Sequence, residues 1–483
     1  MKNLKRDRNA TRITMDSTNP RMSAEGLDEY AQRSEIHIQT EGSQKELRLV
    51  DDPLGGRELQ QCSREITFTN NLKERRMSNR SLKLGIFGFG CVGSGLYETL
   101  QASKFKRAEV VRICILDPSK PRTAPRDLFT TVPEELLDNE DIDVIVELID
   151  DAEAAYEIVT KALRSGKDVV SANKKLVAEH LEELIQIQRE TGRSFLYEAA
   201  CAASIPIIRN LEEYYDNDLV QKVEGILNGS TNYILSALQN GGDFDSVLNE
   251  AQEAGYAESD PTLDVDGWDA KFKLTLLIAH SFGLVVPPSS VPHHGIRYIT
   301  PRLQRIARER NQRIKLIARC WKEDDRVRAY VLPSFVDSDE ELFAVNDALN
   351  GVVVEGAFSE RQYFRGKGAG SLPTGAAVLS DISALTYDYR YAYKKLNSDL
   401  EFINDFPVCV HLNGNQSGPL PIYAFEEVFG TFRSVKESYV EGRIGIRNLL
   451  ELLETGLWSA ALLSEKTLQS LEQEQSSILA VSH

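Results

Sequence analysis

From Lys83 onward the chain alternates short apolar runs with amphipathic stretches of helical period. KLGIFGFG leads into a helix from Val92, followed by VVRICILD (Val110 to Asp117), VIVELID, a helical stretch near Ala152 to Ser165, DVVSANK, and another near Val177 to Thr191. Uninterrupted apolar runs suit strands covered on both faces, so strands alternating with helices of this length predict a parallel, doubly wound α/β sheet of Rossmann type. FLYEAA closes this region near residue 200, and IPIIRNLEEYY opens a second, α+β part. Further on, KLIARCWKEDDRVRAYVLPSFVD predicts a helix followed by strands. YFRGKGAGSLPTGAAVLSDI (Tyr363 to Ile382) predicts a glycine-rich turn capping a helix that returns to the first sheet. The last 80 or so residues, with FPVCVHLNG, FRSVKESYVEGRIGI and NLLELLETGLWSAALL, predict a small α+β appendage.

Residues 1 to about 80 lack such periodicity and are rich in Arg, Glu, Asn, Ser and Gln, so they are expected to be disordered. Met77 stands just before the first strand, and Lys73-Glu74-Arg75-Arg76 can be written in purine-only codons. The expectation is therefore that Met77 is the natural start. At 483 residues with 42% hydrophobic positions, the remainder can bury one or two substantial cores. A formal net charge of -17 argues against a nucleic-acid binder, which needs a basic stripe, and favours small-molecule chemistry. The six cysteines have no short ligand spacing, no apolar run is long enough for a membrane helix, and no export signal opens the chain, so a cytoplasmic protein with reduced thiols is expected.

Two segments carry the candidate chemistry. Gly88, Gly90 and Gly93, in the order Gly88-Phe89-Gly90-Cys91-Val92-Gly93, give the GxGxxG spacing between an apolar strand and a helix. Bare backbone can approach a pyrophosphate there, at the helix N-terminus. Asp117, at the end of the second predicted strand, can accept a ribose hydroxyl, as in NAD sites, whereas Lys120 and Arg122 can hold the 2′-phosphate of NADP, so both cofactors stay open. Ser171 to Lys175 (SANKK) ends a strand where such sheets place ligand groups. The second segment, Gly225 to Lys273, crowds Glu258, Asp260, Asp264, Asp266 and Asp269 around Lys271 and Lys273. Asp269 and Lys273, four apart, share a helix face, either as a surface ion pair or as a site that binds an amine and moves a proton. Cys201, among small neighbours, reads as a packed turn more readily than as a nucleophile. From the residues alone, two other readings stay open: another NAD(P)-dependent amino-acid dehydrogenase, and a catalytically silent nucleotide-sensing module.

Taken together, GFGCVG, ELI, SANKK, YEA with SIPII, GILNGSTNYIL, AGYAESDP, DVDGWDAKFK and GKGAGSLPT resemble the homoserine dehydrogenase family from about Leu82 to Ile382. The resemblance implies NAD(P)-dependent interconversion of L-homoserine and L-aspartate 4-semialdehyde, in threonine, methionine and isoleucine biosynthesis. It implies Lys273 as proton donor, Lys174 as its helper beside the cofactor, and Glu258 and Asp269, with Asp264 near them, as substrate-binding groups. Gly255 and Gly368 would touch the cofactor, while Glu198, Cys201, Ala203 and Ile205 would hold a sodium ion. The implied organisation is an N-terminal extension (1–80), a cofactor domain (81–205), a catalytic and dimerisation domain (206–362), a returning segment (363–400) and an appendage of unassigned role (401–483), in a homodimer or higher homo-oligomer. Three departures stand out. CAASIPI replaces the usual VGGGIPI, Asp150-Asp151 replaces a glycine pair after ELI, and Leu116 replaces a basic residue before Asp117.

Overall fold

A computed structural model describes residues 39–41, 44–46, 81–104, 107–217, 219–396, 398–414, 419–434 and 437–471. The expected disorder of 1–80 and the expected start at Met77 concern residues that lie, but for six, outside the described set. Those six form an antiparallel pair, Gln39–Glu41 with Gln44–Glu46, in a unit of their own. All else concerns the unit from Ser81 to His483. Among the described residues no helix is long and apolar enough to cross a membrane.

The first layer is built from β1 (Leu82–Phe87), α1 (Cys91–Ala102), β2 (Ala108–Cys114), β3 (Phe129–Thr130), β4 (Val144–Glu147), α2 (Ala152–Arg164), β5 (Asp168–Ser171), α3 (Lys174–Thr191) and β6 (Phe195–Leu196). The strands pair in the order β3-β2-β1-β4-β5-β6, every pair parallel, which is the doubly wound arrangement. Leu84, Ile86, Val144, Ile145, Val146, Val169 and Val170 are all fully buried, as expected of strands with helices on both faces. Two boundaries differ from the sequence expectation. β2 stops at Cys114, so Asp117 lies in the turn beyond it rather than at the strand end. Helix α3 begins at Lys174, three residues early, because the Asn173 side chain accepts the Leu176 N–H and caps it there.

The second part contains α4 (Ile207–Glu213), β7 (Val220–Ile226), α5 (Gly229–Gln239), α6 (Phe244–Glu253), α7 (Trp268–Phe282), α8 (Pro301–Glu309), β8 (Gln312–Glu323), β9 (Arg326–Asp337), β10 (Leu349–Gly356) and β11 (Glu360–Lys367). Every residue of α7 from Asp269 to Phe282 is buried, so this helix is the axis of the second core. The segment expected as a helix, KLIARC, is instead part of β8. Its run of apolar residues hides the period of two because both faces are covered. Ile314, Leu316, Ala318 and Cys320 join the main core, while Ile317 joins a smaller cluster with Ile226, Val336 and Val353. Asp324, at φ +53°, turns the chain back into β9.

Helix α9 (Ser371–Leu385) returns to the first layer and packs on α1. The approach is close: a Cβ on Gly95 would lie 2.0 Å from the Ser371 carbonyl oxygen, and one on Gly375 2.5 Å from the Gly95 backbone. The C-terminal strands β12 (Pro407–Gly414), β13 (Phe425–Arg433), β14 (Ser438–Gly445) and β15 (Trp458–Leu462), with α10 (Ile446–Glu454), form the expected α+β group around Val410, Leu412, Val440, Ile444, Leu449 and Leu453. They do not stand apart, because β15 pairs with β9. The sheet therefore runs β11-β10-β7-β8-β9-β15-β12-β14-β13, with Glu401–Ile403 as a tenth strand against β9.

Gly95→Val is expected to push α9 off α1 and to lower stability by about 3 kcal/mol. The shift of the urea unfolding midpoint measures this.

Candidate active site

Between β1 and α1, Gly88 takes φ +92°, and a Cβ there would lie 2.6 Å from the Leu148 carbonyl oxygen. One on Gly93 would lie 2.5 Å from the Gly88 carbonyl oxygen. Gly90, the N-cap of α1, meets nothing within 4 Å, and the first turn of the helix (Cys91, Val92, Gly93) carries no acid. Bare glycine surface at a helix N-terminus, beside the reversal of strand order between β1 and β4, fits a dinucleotide pyrophosphate. Phe89 packs edge-on against Tyr97 and Phe129 and fixes the loop from below. Ser371 donates to the Cys91 carbonyl at 2.8 Å, joining the start of α9 to the same loop.

The acidic segment divides. Asp269, on the first turn of α7, is 4% exposed, and its carboxylate receives three donors: Lys174 Nζ at 2.9 Å, Lys273 Nζ at 2.7 Å and Asn228 Nδ2 at 2.9 Å. Burial works against its charge, but the two ammoniums prevail and hold its carboxyl well below the usual range. Lys174 crosses from the first layer to reach it, and the Asp269 charge raises its pKa. Lys273 also donates to the Leu227 carbonyl at 2.8 Å. Asn228 gives a second bond to Asp264 at 2.7 Å, and burial, reinforced by Asp269, pushes the Asp264 carboxyl up. Glu258 sits exposed at the rim, within the field of Lys174. The other members of the cluster turn away. Asp260 caps Thr262, Asp266 pairs with Arg297, and Lys271 lies 3.5 Å over the Trp268 ring, where burial lowers its pKa to about 8.

Sequence reasoning assigned no role to Asn228. The signal was present in NGST, because the Asn228 side chain accepts the Thr231 N–H as the N-cap of α5, and that anchorage aims its amide at both aspartates.

The remaining candidate positions are equally concrete. The Asp117 carboxylate accepts the backbone N–H and hydroxyl of Ser119 at 2.9 and 2.6 Å, bonds that lower its pKa, and Leu116 beside it is 99% exposed. Asp151 accepts from Glu153 and Ala154 as the cap of α2, leaving Asp150 exposed at the crevice edge. Gly255 closes α6 at φ +76°, exposed, and Gly368 is covered by the buried Asn350 amide, which leaves no room for a Cβ. Cys201 is 1% exposed and burial raises its thiol pKa, which is the opposite of an activated nucleophile.

Among the residues implied for sodium, the Glu198 side chain and the Ile205 carbonyl already take part in hydrogen bonds. Glu198 already accepts the Ile208 and Arg209 N–H groups at 2.9 and 2.7 Å, and the Ile205 carbonyl accepts the Ile207 N–H. Ala203, at φ +44°, keeps the tight turn despite its side chain.

A doubly wound sheet with an empty-faced glycine loop, joined to a second core by two lysines on one buried carboxylate, defines an NAD(P)-dependent oxidoreductase. Comparison with known proteins specifies which. Family models match over residues 206–383 for homoserine dehydrogenase and over 88–198 for the homoserine dehydrogenase NAD binding domain. The homoserine dehydrogenase of Bacillus subtilis is 31% identical over 390 residues, covering 77% of this chain and 88% of that protein. That of Mycobacterium tuberculosis is 38% identical over 312 residues, covering 62% and 71%. Among solved structures, the homoserine dehydrogenase of Thiobacillus denitrificans superposes with a TM-score of 0.70 at 28% identity, over 80% of this chain and 98% of that one. A hyperthermophilic archaeal homoserine dehydrogenase in complex with NADPH gives 0.55 at 26% identity, over 64% and 99%. The chain belongs to the homoserine dehydrogenase family.

Asp269→Asn would leave two ammoniums without their carboxylate. The expected loss is about 2 kcal/mol, less than for a fully buried pair because Lys174 is 39% exposed. A lowered carboxyl pKa stabilises the fold above the unfolded value and loses that effect as pH falls. The gap between wild type and variant, read by chemical unfolding, should therefore begin to narrow below about pH 4 and go on narrowing as the pH falls toward the lowered folded-state value.

Proposed function

We propose that this homoserine dehydrogenase works through Lys273 as the group that exchanges a proton with the substrate oxygen. When bound, NAD(P)H supplies the hydride to the aldehyde carbon of L-aspartate 4-semialdehyde, and NAD(P)+ takes it back from L-homoserine. The chain's own residues do the rest. Lys273 is bound on two sides, by the Leu227 carbonyl and Asp269, so its remaining proton is directed rather than free to rotate. In the reducing direction that proton goes to the carbonyl oxygen as the hydride arrives at carbon, and no full alkoxide charge accumulates. Lys174 shares Asp269 with Lys273 and comes from the layer that carries the dinucleotide loop, so it ties the position of the cofactor half to that of the substrate half. Asp269 and the rim carboxylate of Glu258 bind the amino-acid substrate, with Asp264 holding Asn228 in register. The observation carrying this reading is the shared carboxylate of Asp269.

No step of this reading runs through sodium, which the family resemblance implies at the backbone carbonyls around Glu198, Cys201, Ala203 and Ile205. Gly255 and Gly368 are taken as cofactor-facing, as the family resemblance implies. The same resemblance supports a cytoplasmic homodimer or higher homo-oligomer, with residues 206–362 carrying catalysis and dimerisation.

Oxidation of L-homoserine, followed at the nicotinamide absorbance with NAD and NADP in parallel, tests the reading. Lys273→Ala is expected to lower kcat by roughly 100- to 10,000-fold, the range for loss of a positioned acid–base group. The homoserine KM should change far less, and turnover intact in that variant would refute the assignment.

A further inference from the structure

Glu147 is the last residue of β4, at the point where strand order reverses, and it is fully buried. The mechanism above does not use it. One carboxylate oxygen accepts the Ile149 N–H at 2.8 Å and the other the Ser171 hydroxyl at 2.5 Å, while Ser171 Oγ in turn accepts the Asn173 N–H at 3.0 Å. This count of donors is complete only for an ionised Glu147. A protonated carboxyl giving its hydrogen to Ser171 would leave the serine's own hydrogen without an acceptor among these bonds. Yet no cation compensates the charge among the described residues. Its β1 neighbour is Phe87, its β5 neighbour is Ser171, and Lys174 on α3 is bound to Asp269. Asp150, in the adjoining turn, adds a second negative charge. Burial above all raises the Glu147 pKa, to about 7. A buried anion without a cation is costly, and it stands at the strand ends where doubly wound sheets receive the cofactor.

We propose that Glu147 is the counter-charge for the oxidised nicotinamide, so that the site discriminates between the two redox states of its cofactor. This rests on the reading of the crevice as the NAD(P) site. The oxidised ring is cationic and the reduced ring neutral. When homoserine is oxidised, the carbinol C–H bond breaks and hydride forms a C–H bond at the ring. The hydroxyl proton leaves to Lys273 in its neutral amine form, which has first given a proton to solvent; a carbonyl forms, and the ring charge disappears. The ionised form of Glu147 therefore favours NAD(P)+ over NAD(P)H. A cation arriving near Glu147 lowers its pKa, so oxidised cofactor releases a proton on binding near neutral pH and binds more tightly as pH rises through about 7.

Calorimetric titration of the intact protein with NADP+ and with NADPH, near pH 7 in two buffers of different ionisation enthalpy, reads the proton count directly. The oxidised-minus-reduced difference cancels whatever the common nucleotide contributes. Expected are excess proton release with NADP+, its disappearance in Glu147→Gln, and a shift of the Kd ratio toward NADPH by about tenfold, one pKa unit in the charge interaction. Should Glu147→Gln not fold, Ser171→Ala decides: with one bond to the carboxylate gone, the pH midpoint of proton release should rise. A difference of zero in the wild type, one that persists in Glu147→Gln, or an unmoved midpoint in Ser171→Ala would overturn the proposal while leaving the cofactor site in place. Failure of either nucleotide to bind would overturn both.

Discussion

A carboxylate sealed from water keeps its charge only if donors reach it, and Asp269 is reached from three elements at once. Lys174 comes from the start of α3, Lys273 from its own helix one turn on, and Asn228 from the cap of α5. Each donor is fixed by something else. Lys174 follows the Asn173 cap, Lys273 is bound to the Leu227 carbonyl, and Asn228 is anchored by Thr231 and shared with Asp264. The buried charge therefore acts as a geometric constraint, holding the cofactor-binding layer and the α7 core in one arrangement.

The rest of the fold delivers those elements to the same place. The parallel sheet ends its strands on one edge, presenting the glycine loop, Glu147 and the SANKK turn side by side. Helix α9 then comes back onto α1 through facing glycines, and Ser371 closes on Cys91, so the returning chain rests against the nucleotide loop. Two buried acids serve different ends. Asp269 is compensated by two lysines and pins structure, whereas Glu147 has only neutral donors and is free to respond to charge in the crevice.

What the sequence disclosed follows from how local each signal is. The glycine turn and the alternating strands are set by neighbouring residues and were readable. So was the shared face of Asp269 and Lys273, four apart on α7, whereas Lys271, grouped with Lys273 in the sequence, projects to the other face and stacks on Trp268. Strand β8 misread as helix because both of its faces are buried, which erases alternation. The union of the C-terminal strands with the large sheet rests on the register of Ser334 with Leu462, more than a hundred residues apart, and no local pattern announces it. The link from Asn228 to Asp264 and Asp269 is likewise a product of the assembled fold.

The most direct test of Asp269 as the shared anchor is a double-mutant cycle in kcat/KM for homoserine between Lys174→Met and Lys273→Met. If both lysines act through one carboxylate, the double variant should be scarcely slower than the slower single variant, with a coupling of about 2 kcal/mol or more. Effects that simply multiply would mean that the two lysines act independently, and would contradict the account.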